Sequence, residues 1–216
     1  MGKTKIEWCD YTINPIKGLC RMGCTWCYAR RLYRRFKWSP DIKLDMSVFD
    51  EIRKLKRSSR VFVCSTHELF GDWIPDEWIE SVLMVIKECS HHVFQILTKN
   101  PVRATEFEFP SNCWVGVSVD TRKACVRMDT LKRRINAEVK FVSFEPLLED
   151  LELTCGMLEG LNWVIIGGLS GERNKEKIRR RQVWAERIME KADALQIPVF
   201  VKDNLHFPNP RREFPR

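Results

Sequence analysis

Three cysteines lie within eight residues near the start of the chain, in the stretch GLCRMGCTWCYARR. Cys20, Cys24 and Cys27 follow a C-x3-C-x2-C spacing, with an aromatic residue just before the last cysteine. Closely spaced thiolates are ligands for soft metals, and a reducing compartment favours such a site over disulfides. The spacing therefore predicts a metal centre held by a loop over residues 18–28.

Two kinds of metal centre fit these residues. A structural zinc ion takes four ligands, so the three thiols would need a fourth, for which Cys9, Cys64 and His67 are candidates. A cubane iron–sulfur cluster has four irons, and three thiolates leave one iron open to a substrate or cofactor. Gly18 and Gly23 allow the tight backbone that a loop needs around a bulky cluster. On the residues alone both kinds of centre remain open.

The chain of 216 residues carries 37 Lys and Arg against 29 Asp and Glu, a net charge of +8. Excess positive charge favours a polyanionic partner such as nucleic acid. Arg30, Arg31, Arg34 and Arg35 follow the cysteines and would share one face of a helix. That face is either a phosphate-binding surface or a solvated helix surface.

Composition excludes two classes of protein. Hydrophobic residues make up 44% and charged residues 31%, the balance of a globular protein and not of a disordered one. No apolar run approaches the roughly 20 residues that span a bilayer, and the start MGKTKIEWCD lacks the apolar core of a signal peptide. We therefore expect a cytoplasmic protein with no membrane partner, and the length favours a single domain over residues 1–216.

Short apolar, β-branched runs alternate with stretches of helical periodicity, which predicts repeated βα units around a mostly parallel sheet. After an extended start near IEWCDYTINP, the predicted strands are 60–65, 92–98, 113–119, 139–144, 162–168 and 198–202. The predicted helices are 26–37, 75–89, 121–135 and 182–195, with weaker ones near 47–57 and 101–107. Six or seven units are too few for an eightfold barrel, so we expect an α/β partial (β/α)6-type barrel, with a doubly wound sheet as the alternative.

Polar residues follow six of these strands, and the carboxyl ends of parallel strands meet at one edge, which predicts a shared polar crevice there. Glu68 and Lys99 are the charged residues of this set that we expect to serve catalysis, because a charged side chain in a closed crevice usually has a partner or a reaction. A salt bridge between strand ends is the alternative for both residues.

The cysteine loop also carries a family resemblance. The motif C-x3-C-x-(aromatic)-C, placed after an extended segment and before a helix, resembles the cluster motif of the radical S-adenosylmethionine (SAM) superfamily. Six ordered blocks from residue 4 to about residue 172 are similar to a phage- and prophage-associated family of unknown function whose members begin with IEW-D-x-T-x-NP. The blocks are TKIEWCDYTINPIKGLC, VFVCSTHELFGDWIPDEW, FQILTKNPVR, NCWVGVSVDT, FVSFEPLLEDLEL and WVIIGGLSG. Leu169 departs from that family's pattern, which commonly has an acidic residue there.

This resemblance implies a fold, a cofactor and a chemistry. It implies a partial barrel of the radical SAM kind, with a [4Fe-4S] cluster on Cys20, Cys24 and Cys27 and SAM on the fourth iron. Reductive cleavage of SAM would give methionine and a 5'-deoxyadenosyl radical, with electrons from a donor such as flavodoxin or ferredoxin. Cys64, at a predicted strand end, would then donate hydrogen to a product radical, with simple burial as the alternative.

For SAM we expect residues at the later strand ends, on the basis of their position. Gly167 and Gly168 would let the strand-end backbone approach the ligand, and Ser118, Ser143 and Glu145 would bind the ribose or the aminoacyl end.

These motifs do not identify the substrate. The positive charge, the arginines after the cysteine loop and the phage association favour a nucleic acid or nucleotide, and a reaction of modification or repair. The alternative from another class is a non-catalytic, basic nucleic-acid-binding protein in which a zinc or iron–sulfur site staples the N-terminal loop.

Overall fold

The computed structural model describes residues 4–215, so the first three residues and the last residue of the predicted domain lie outside the described part. The chain divides into two compact units. The first unit runs to Trp114 and includes 136–138, and the second comprises Val115–Ile135 and the chain from Val139. A single domain over 1–216 stays a prediction.

The first unit alternates short strands and helices. Its elements are β1 (Tyr11–Ile13), β2 (Ile16–Lys17), α1 (Tyr28–Phe36), β3 (Lys43–Leu44), α2 (Asp50–Lys54), β4 (Arg60–Val63), α3 (Asp76–Glu88), β5 (Val93–Thr98) and α4 (Pro101–Ala104).

Strand β6 (Cys113–Ser118) runs from the first unit into the second. The second unit then contains α5 (Val126–Arg134), β7 (Lys140–Phe144), α6 (Cys155–Leu158), β8 (Trp163–Ile166), α7 (Lys175–Ala194) and β9 (Val199–Val201). Three 3-10 turns, at Met46–Phe49, Arg122–Cys125 and Asp203–Leu205, adjoin these elements.

Seven strands belong to one sheet in the order β1-β4-β5-β6-β7-β8-β9, and β2 and β3 form a separate antiparallel pair. The pairs β1–β4 and β4–β5 are parallel, as are β6–β7, β7–β8 and β8–β9. The strand order follows the chain without reversal. A doubly wound sheet reverses its order at a switch point, so this alternative is wrong.

Apolar strands and amphipathic helices account for the core. All four residues of β8 are buried, and so are the last three of β4, as expected for parallel strands covered on both faces. Helix α3 follows Pro75, carries Asp76 and Glu77 in its first turn and buries five apolar residues along one side.

The predicted strands are confirmed to within two residues at each end, whereas two helices start elsewhere than predicted. Helix α5 begins at Val126 and not near 121, because residues 122–125 form a 3-10 turn. Helix α7 begins at Lys175 and not near 182, because the side chain of Asn174 accepts the N–H of Lys177 at 3.1 Å and caps the helix. The pair β2–β3 and the single turn α6 were not predicted, since segments of two to four residues show no periodicity. In the described part of the chain, no helix is long and apolar enough to cross a bilayer.

Candidate functional site

The three cysteines lie in the loop between β2 and α1 of the first unit. All three are half-buried, and Cys27 is the N-cap residue of α1, directly before Tyr28. The backbone N–H of Cys27 donates to the carbonyl of Cys24 at 3.3 Å, so the last two cysteines share one turn. Three thiols therefore stand on a single short loop, partly open to solvent.

Gly18 fixes the start of this cysteine loop, residues 18–28. Its φ is +97°, and a Cβ placed on it would lie 2.4 Å from the carbonyl oxygen of Asp41, so no side chain fits. Its N–H donates to the hydroxyl of Tyr33 at 2.9 Å, and its carbonyl lies 3.1 Å from Nδ1 of His67. The loop is thus held by α1, by the chain after β4 and by the segment before β3.

His67 has both ring nitrogens engaged. Trp73 Nε1 donates to His67 Nε2 at 3.1 Å, so Nδ1 carries the proton and donates to the Gly18 carbonyl. Burial lowers the pKa of His67, which favours this neutral form. The side chain therefore anchors the cysteine loop, and the structure does not offer it as the fourth zinc ligand that the sequence left open.

Helix α1 ties back onto the loop that precedes it. The guanidinium of Arg30 donates to the carbonyl of Cys20 at 2.8 Å, and the hydroxyl of Tyr28 donates to the carbonyl of Ser65 at 2.6 Å. The sequence named Arg30 only as part of a basic helix face, and it gave no role to Tyr28 or Tyr33. Their position in the sequence could have indicated this role, because polar side chains on the first turns of a helix lie within reach of the loop before it.

The sulfur of Cys20 faces backbone donors. Burial raises the pKa of the Cys20 thiol, and the backbone N–H groups of Met22 and Glu68 oppose that rise. A metal ligand must be a thiolate, and these two donors favour that form against the larger effect of burial.

Over residues 4–215, no group of three or more His, Cys, Asp and Glu side chains is placed to hold one metal ion. The metal assignment of Cys20, Cys24 and Cys27 therefore stays a prediction, and what supports a cluster is the kind of donor, because thiolates are its usual ligands. The donor set of three thiols on one loop fits a cubane with one iron free of protein ligands.

Glu68 and Lys99 meet at the ends of β4 and β5. Glu68 is buried, and its carboxylate accepts bonds from the N–H of Phe70 at 3.2 Å, the hydroxyl of Thr98 at 2.7 Å and the N–H of Lys99 at 2.8 Å. Burial raises the pKa of Glu68, and these donors oppose the rise. Lys99 Nζ lies 5.9 Å from the ring centroid of Trp26, a cation–π contact that joins β5 to the cysteine loop.

Cys64 follows β4 directly and is buried. Its φ is +60°, a conformation that residues other than glycine seldom adopt, and its N–H donates to the carbonyl of Ile13 at 2.8 Å. Burial raises the pKa of the Cys64 thiol to about 12, so the sulfur keeps its hydrogen at neutral pH.

In the second unit, Ser118 and Ser143 are register partners on β6 and β7, and Ser143 also pairs with Ile165 of β8. Both serines are buried, and Ser143 has no exposed surface. Its hydroxyl has no hydrogen-bond partner among the described residues. A buried hydroxyl without a partner is costly, so this atom is suited to bind a ligand.

Glu145 follows β7 and forms an ion pair with Lys202, the residue after β9. Gly167 lies beside this pair: a Cβ on it would stand 3.1 Å from carbons of both side chains. The glycine therefore makes room for the ion pair.

Gly168 is held by Asn204 through two bonds. Its N–H donates to Asn204 Oδ1 at 2.8 Å, and Asn204 Nδ2 donates to its carbonyl at 2.8 Å. Both peptide groups of this glycine are thus occupied by a side chain that sequence reasoning did not single out. The space left by the two glycines is filled by protein atoms.

The sequence matches, over residues 3–211, the model of a family described as a protein of unknown function (DUF5131). No curated protein matches the sequence. Two solved structures resemble the fold. A spore photoproduct lyase double mutant with bound AdoMet and dinucleoside spore photoproduct has a TM-score of 0.56 and 14% identity. Spore photoproduct lyase complexed with dinucleoside spore photoproduct has a TM-score of 0.55 and 13% identity.

Each match covers 86% of this chain and 63% of the other chain, so this chain spans less than two thirds of the structures it resembles. The likeness confirms the predicted fold class: a parallel-stranded α/β fold of the partial-barrel kind found in radical SAM proteins.

Proposed function

The chain belongs to the DUF5131 family, and we propose that it is a radical SAM enzyme that binds a [4Fe-4S] cluster through Cys20, Cys24 and Cys27. The observation that carries the proposal is the three-thiol loop, anchored at Gly18, within a fold like that of spore photoproduct lyase, a radical SAM enzyme. When bound, the cluster supplies the electron that cleaves SAM to methionine and a 5'-deoxyadenosyl radical.

The residues around the cysteine loop position its sulfurs. His67 and Tyr33 hold Gly18, and Arg30 holds the carbonyl of Cys20, so the loop keeps its shape before any ligand binds. Trp26, under the cation of Lys99, would cover one side of the cluster and limit access of water.

For SAM we retain Ser118, Ser143, Glu145, Gly167 and Gly168. The support differs among them. The buried hydroxyl without a partner favours Ser143 as a donor to the ribose or the aminoacyl carboxylate. Glu145 is neutralised by an ion pair, and the two glycines make room for other atoms of the protein, which supports a positioning role for these three residues beside the ligand.

For catalysis we retain Cys64, Glu68 and Lys99. A hydrogen-atom donor needs an S–H bond at working pH, and the raised pKa of Cys64 maintains one. The Glu68 carboxylate holds the backbone of Lys99, so the glutamate is best described as the residue that positions the lysine. Lys99, next to Trp26, is then the charge that would face a bound substrate.

We propose a nucleotide or nucleic acid as substrate, in modification or repair. The support is the net charge of +8 and the dinucleoside bound by the structural neighbours. A flavodoxin or ferredoxin as electron donor, a cytoplasmic location and membership of the phage-associated three-cysteine group complete the proposal.

Metal content tests the proposal against a non-catalytic, basic nucleic-acid-binding protein with a structural zinc or iron–sulfur site. After anaerobic purification and reconstitution, we expect about four irons per chain and a brown absorbance. Cys24→Ala should lose most of the iron, whereas Cys155→Ala, at an exposed cysteine, should keep it. Stoichiometric zinc without iron would contradict the enzyme and support the binding protein.

A further inference from the structure

Two aromatic rings at the end of α1 are exposed to solvent. Phe36 and Trp38 are 53% and 48% exposed, yet their ring centroids lie 5.5 Å apart with an interplanar angle of 22°, a stacked pair. Tyr33 contacts Trp38 edge-on at 5.3 Å. Large rings that remain exposed while held in a fixed stack point to a ligand that covers them.

Positive charges surround these rings. Arg34, Arg35 and Lys37 are exposed, and none of the three has a carboxylate partner within residues 4–215. The guanidinium of Arg35 lies 5.3 Å from the ring centroid of Phe36. Residues 34–38, which we call the α1 patch, therefore combine two open rings with three uncompensated positive charges.

The backbone holds the α1 patch in shape. Lys37 ends the helix in the left-handed conformation with φ 51°, where glycine is usual, and the N–H of Trp38 donates to the carbonyl of Tyr33 at 3.2 Å. The turn at Lys37 brings the rings on either side of it into the stack. A preorganised aromatic platform loses little freedom when a ligand binds.

The chain connects the α1 patch to the cysteine loop on both sides of the patch. Helix α1 begins directly after Cys27, and its nine residues span about 14 Å. Beyond the patch the chain returns to the loop, where the carbonyl of Pro40 accepts the N–H of Leu19 at 2.9 Å and the backbone of Asp41 packs against Gly18.

We propose that the α1 patch is a docking surface for a single-stranded polynucleotide. Bases would stack on Trp38 and Phe36, and Arg34, Arg35 and Lys37 would bind phosphates. Aromatic platforms beside basic side chains are the usual means of binding single strands, because every base has a stacking face. A duplex keeps its bases stacked on each other and offers these rings no free face. The strand's role as substrate rests on the proposed function, whereas its binding does not require the cluster.

Two other occupants of the α1 patch, a second copy of the chain and a membrane, do not fit its charge and composition. A second copy of the chain, docked through the same patch, would bring like charges together. A membrane-binding face needs a wide apolar stripe. Between positions 34 and 38 the only apolar side chains are the two rings.

Fluorescence anisotropy with labelled oligonucleotides tests the proposal. The full chain, without reconstituted cluster, is titrated against a DNA single strand, an RNA single strand of the same sequence and the DNA duplex. We expect both single strands, or one of them, to bind more tightly than the duplex. Trp38→Ala should weaken single-strand binding about tenfold, and Trp38→Phe should restore most of it.

Matched variants separate the patch from general charge. Arg34→Ala with Arg35→Ala should weaken binding and reduce the slope of log K against log salt by roughly 0.7 for each arginine. Lys175→Ala with Arg179→Ala removes the same charge from exposed positions of α7 and should change the affinity less than twofold. Met84→Ala, at another exposed apolar residue, should leave the affinity unchanged. Thermal unfolding confirms that each variant folds.

Several outcomes would overturn the proposal. Equal affinity of Trp38→Ala and wild type for single strands would contradict base stacking on Trp38. Equal losses of affinity in the α1 and α7 double variants would mean that net charge alone explains the binding. If Trp38→Ala weakens binding to phosphatidylserine vesicles but not to oligonucleotides, the occupant of the patch is a membrane. If it weakens only a self-association seen in sedimentation, the occupant is a second copy of the chain. Oligonucleotide binding that depends on Trp38, in a chain that never cleaves SAM, would support the surface and contradict only the enzyme.

Discussion

The strand ends of the two units use their polar residues in different ways. In the first unit the polar groups after β4 and β5 support a loop: His67 holds Gly18, and Glu68 holds the backbone beside Lys99. In the second unit they pair with each other, as in Glu145 with Lys202 and Asn204 with Gly168. This difference shows that a polar residue at a strand end is not necessarily a ligand-binding residue, because the hydrogen-bond and ion-pair partners of its side chain decide its role.

Substitution of glycine with φ above zero gives the largest expected contrast between the units. Gly18→Ala should lower the free energy of unfolding by about 3 kcal/mol, because its Cβ would meet the backbone of Asp41 at 2.4 Å. Gly171→Ala, with φ +83° and no atom within 4 Å of its Cβ, should cost about 1 kcal/mol. Urea denaturation of both variants measures the difference, and equal losses would mean that the cysteine loop is not rigidly anchored.

The two strand-end glutamates give the next contrast. Glu68→Gln should cost about 2 kcal/mol, since an amide NH2 would face donors that now bond to a buried carboxylate. Glu145→Gln keeps an acceptor for Lys202 at a less buried position and should cost about 1 kcal/mol. Denaturant unfolding of the chain without cluster compares the two variants. A larger loss of unfolding free energy for Glu145→Gln than for Glu68→Gln would contradict the view that the first unit depends more on its strand-end glutamate.

Paired carboxylates of the second unit should also appear in the pH dependence of stability. The hydrogen bond from Arg211 holds the pKa of Glu213 below its usual value of 4.5. A lowered pKa in the folded state stabilises the fold above the unfolded value, and this contribution is lost as the pH falls through the folded value. Glu213→Gln should therefore be less stable than wild type by under about 1 kcal/mol at pH 7, with a gap that closes below pH 4.5. A gap that widens in acid would contradict the pairing.

Substitution of Ser143 has the smallest expected effect on stability, and it tests whether a polar residue of the second unit serves a ligand and not the fold. Its hydroxyl has no partner among the described residues, so Ser143→Ala should change the free energy of unfolding by about zero, or raise it slightly. If the hydroxyl binds SAM, calorimetry should show affinity reduced several-fold, with Ser111→Ala, at an exposed serine before β6, as the control. Unchanged SAM affinity would remove Ser143 from the proposed site.

The strands could be predicted because each is a short apolar run between polar ends, and parallel strands are buried on both faces. The cysteine loop could be predicted as a metal centre because its three thiols are close in sequence. The supports of the loop could not, since Trp73, His67 and Gly18 meet only after folding. The start of α7 was missed because its first turns are highly charged and show no apolar periodicity.

The roles of Gly167 and Gly168 were only partly readable from the sequence. A glycine pair at a strand end predicts a close approach, and the structure shows one at both residues. The approaching groups belong to the protein: the side chains of Glu145 and Lys202 at Gly167, and the backbone carbonyl of Asn204 at Gly168. A sequence pattern does not distinguish these from a ligand.

The most direct test of the central claim is the formation of 5'-deoxyadenosine from SAM by the anaerobically reconstituted, chemically reduced protein. We expect 5'-deoxyadenosine to appear with wild-type protein and with Cys155→Ala, and to be absent with Cys24→Ala. An intact, reducible cluster that yields no 5'-deoxyadenosine, even with single-stranded oligonucleotides present, would contradict the assignment of this chain as a radical SAM enzyme.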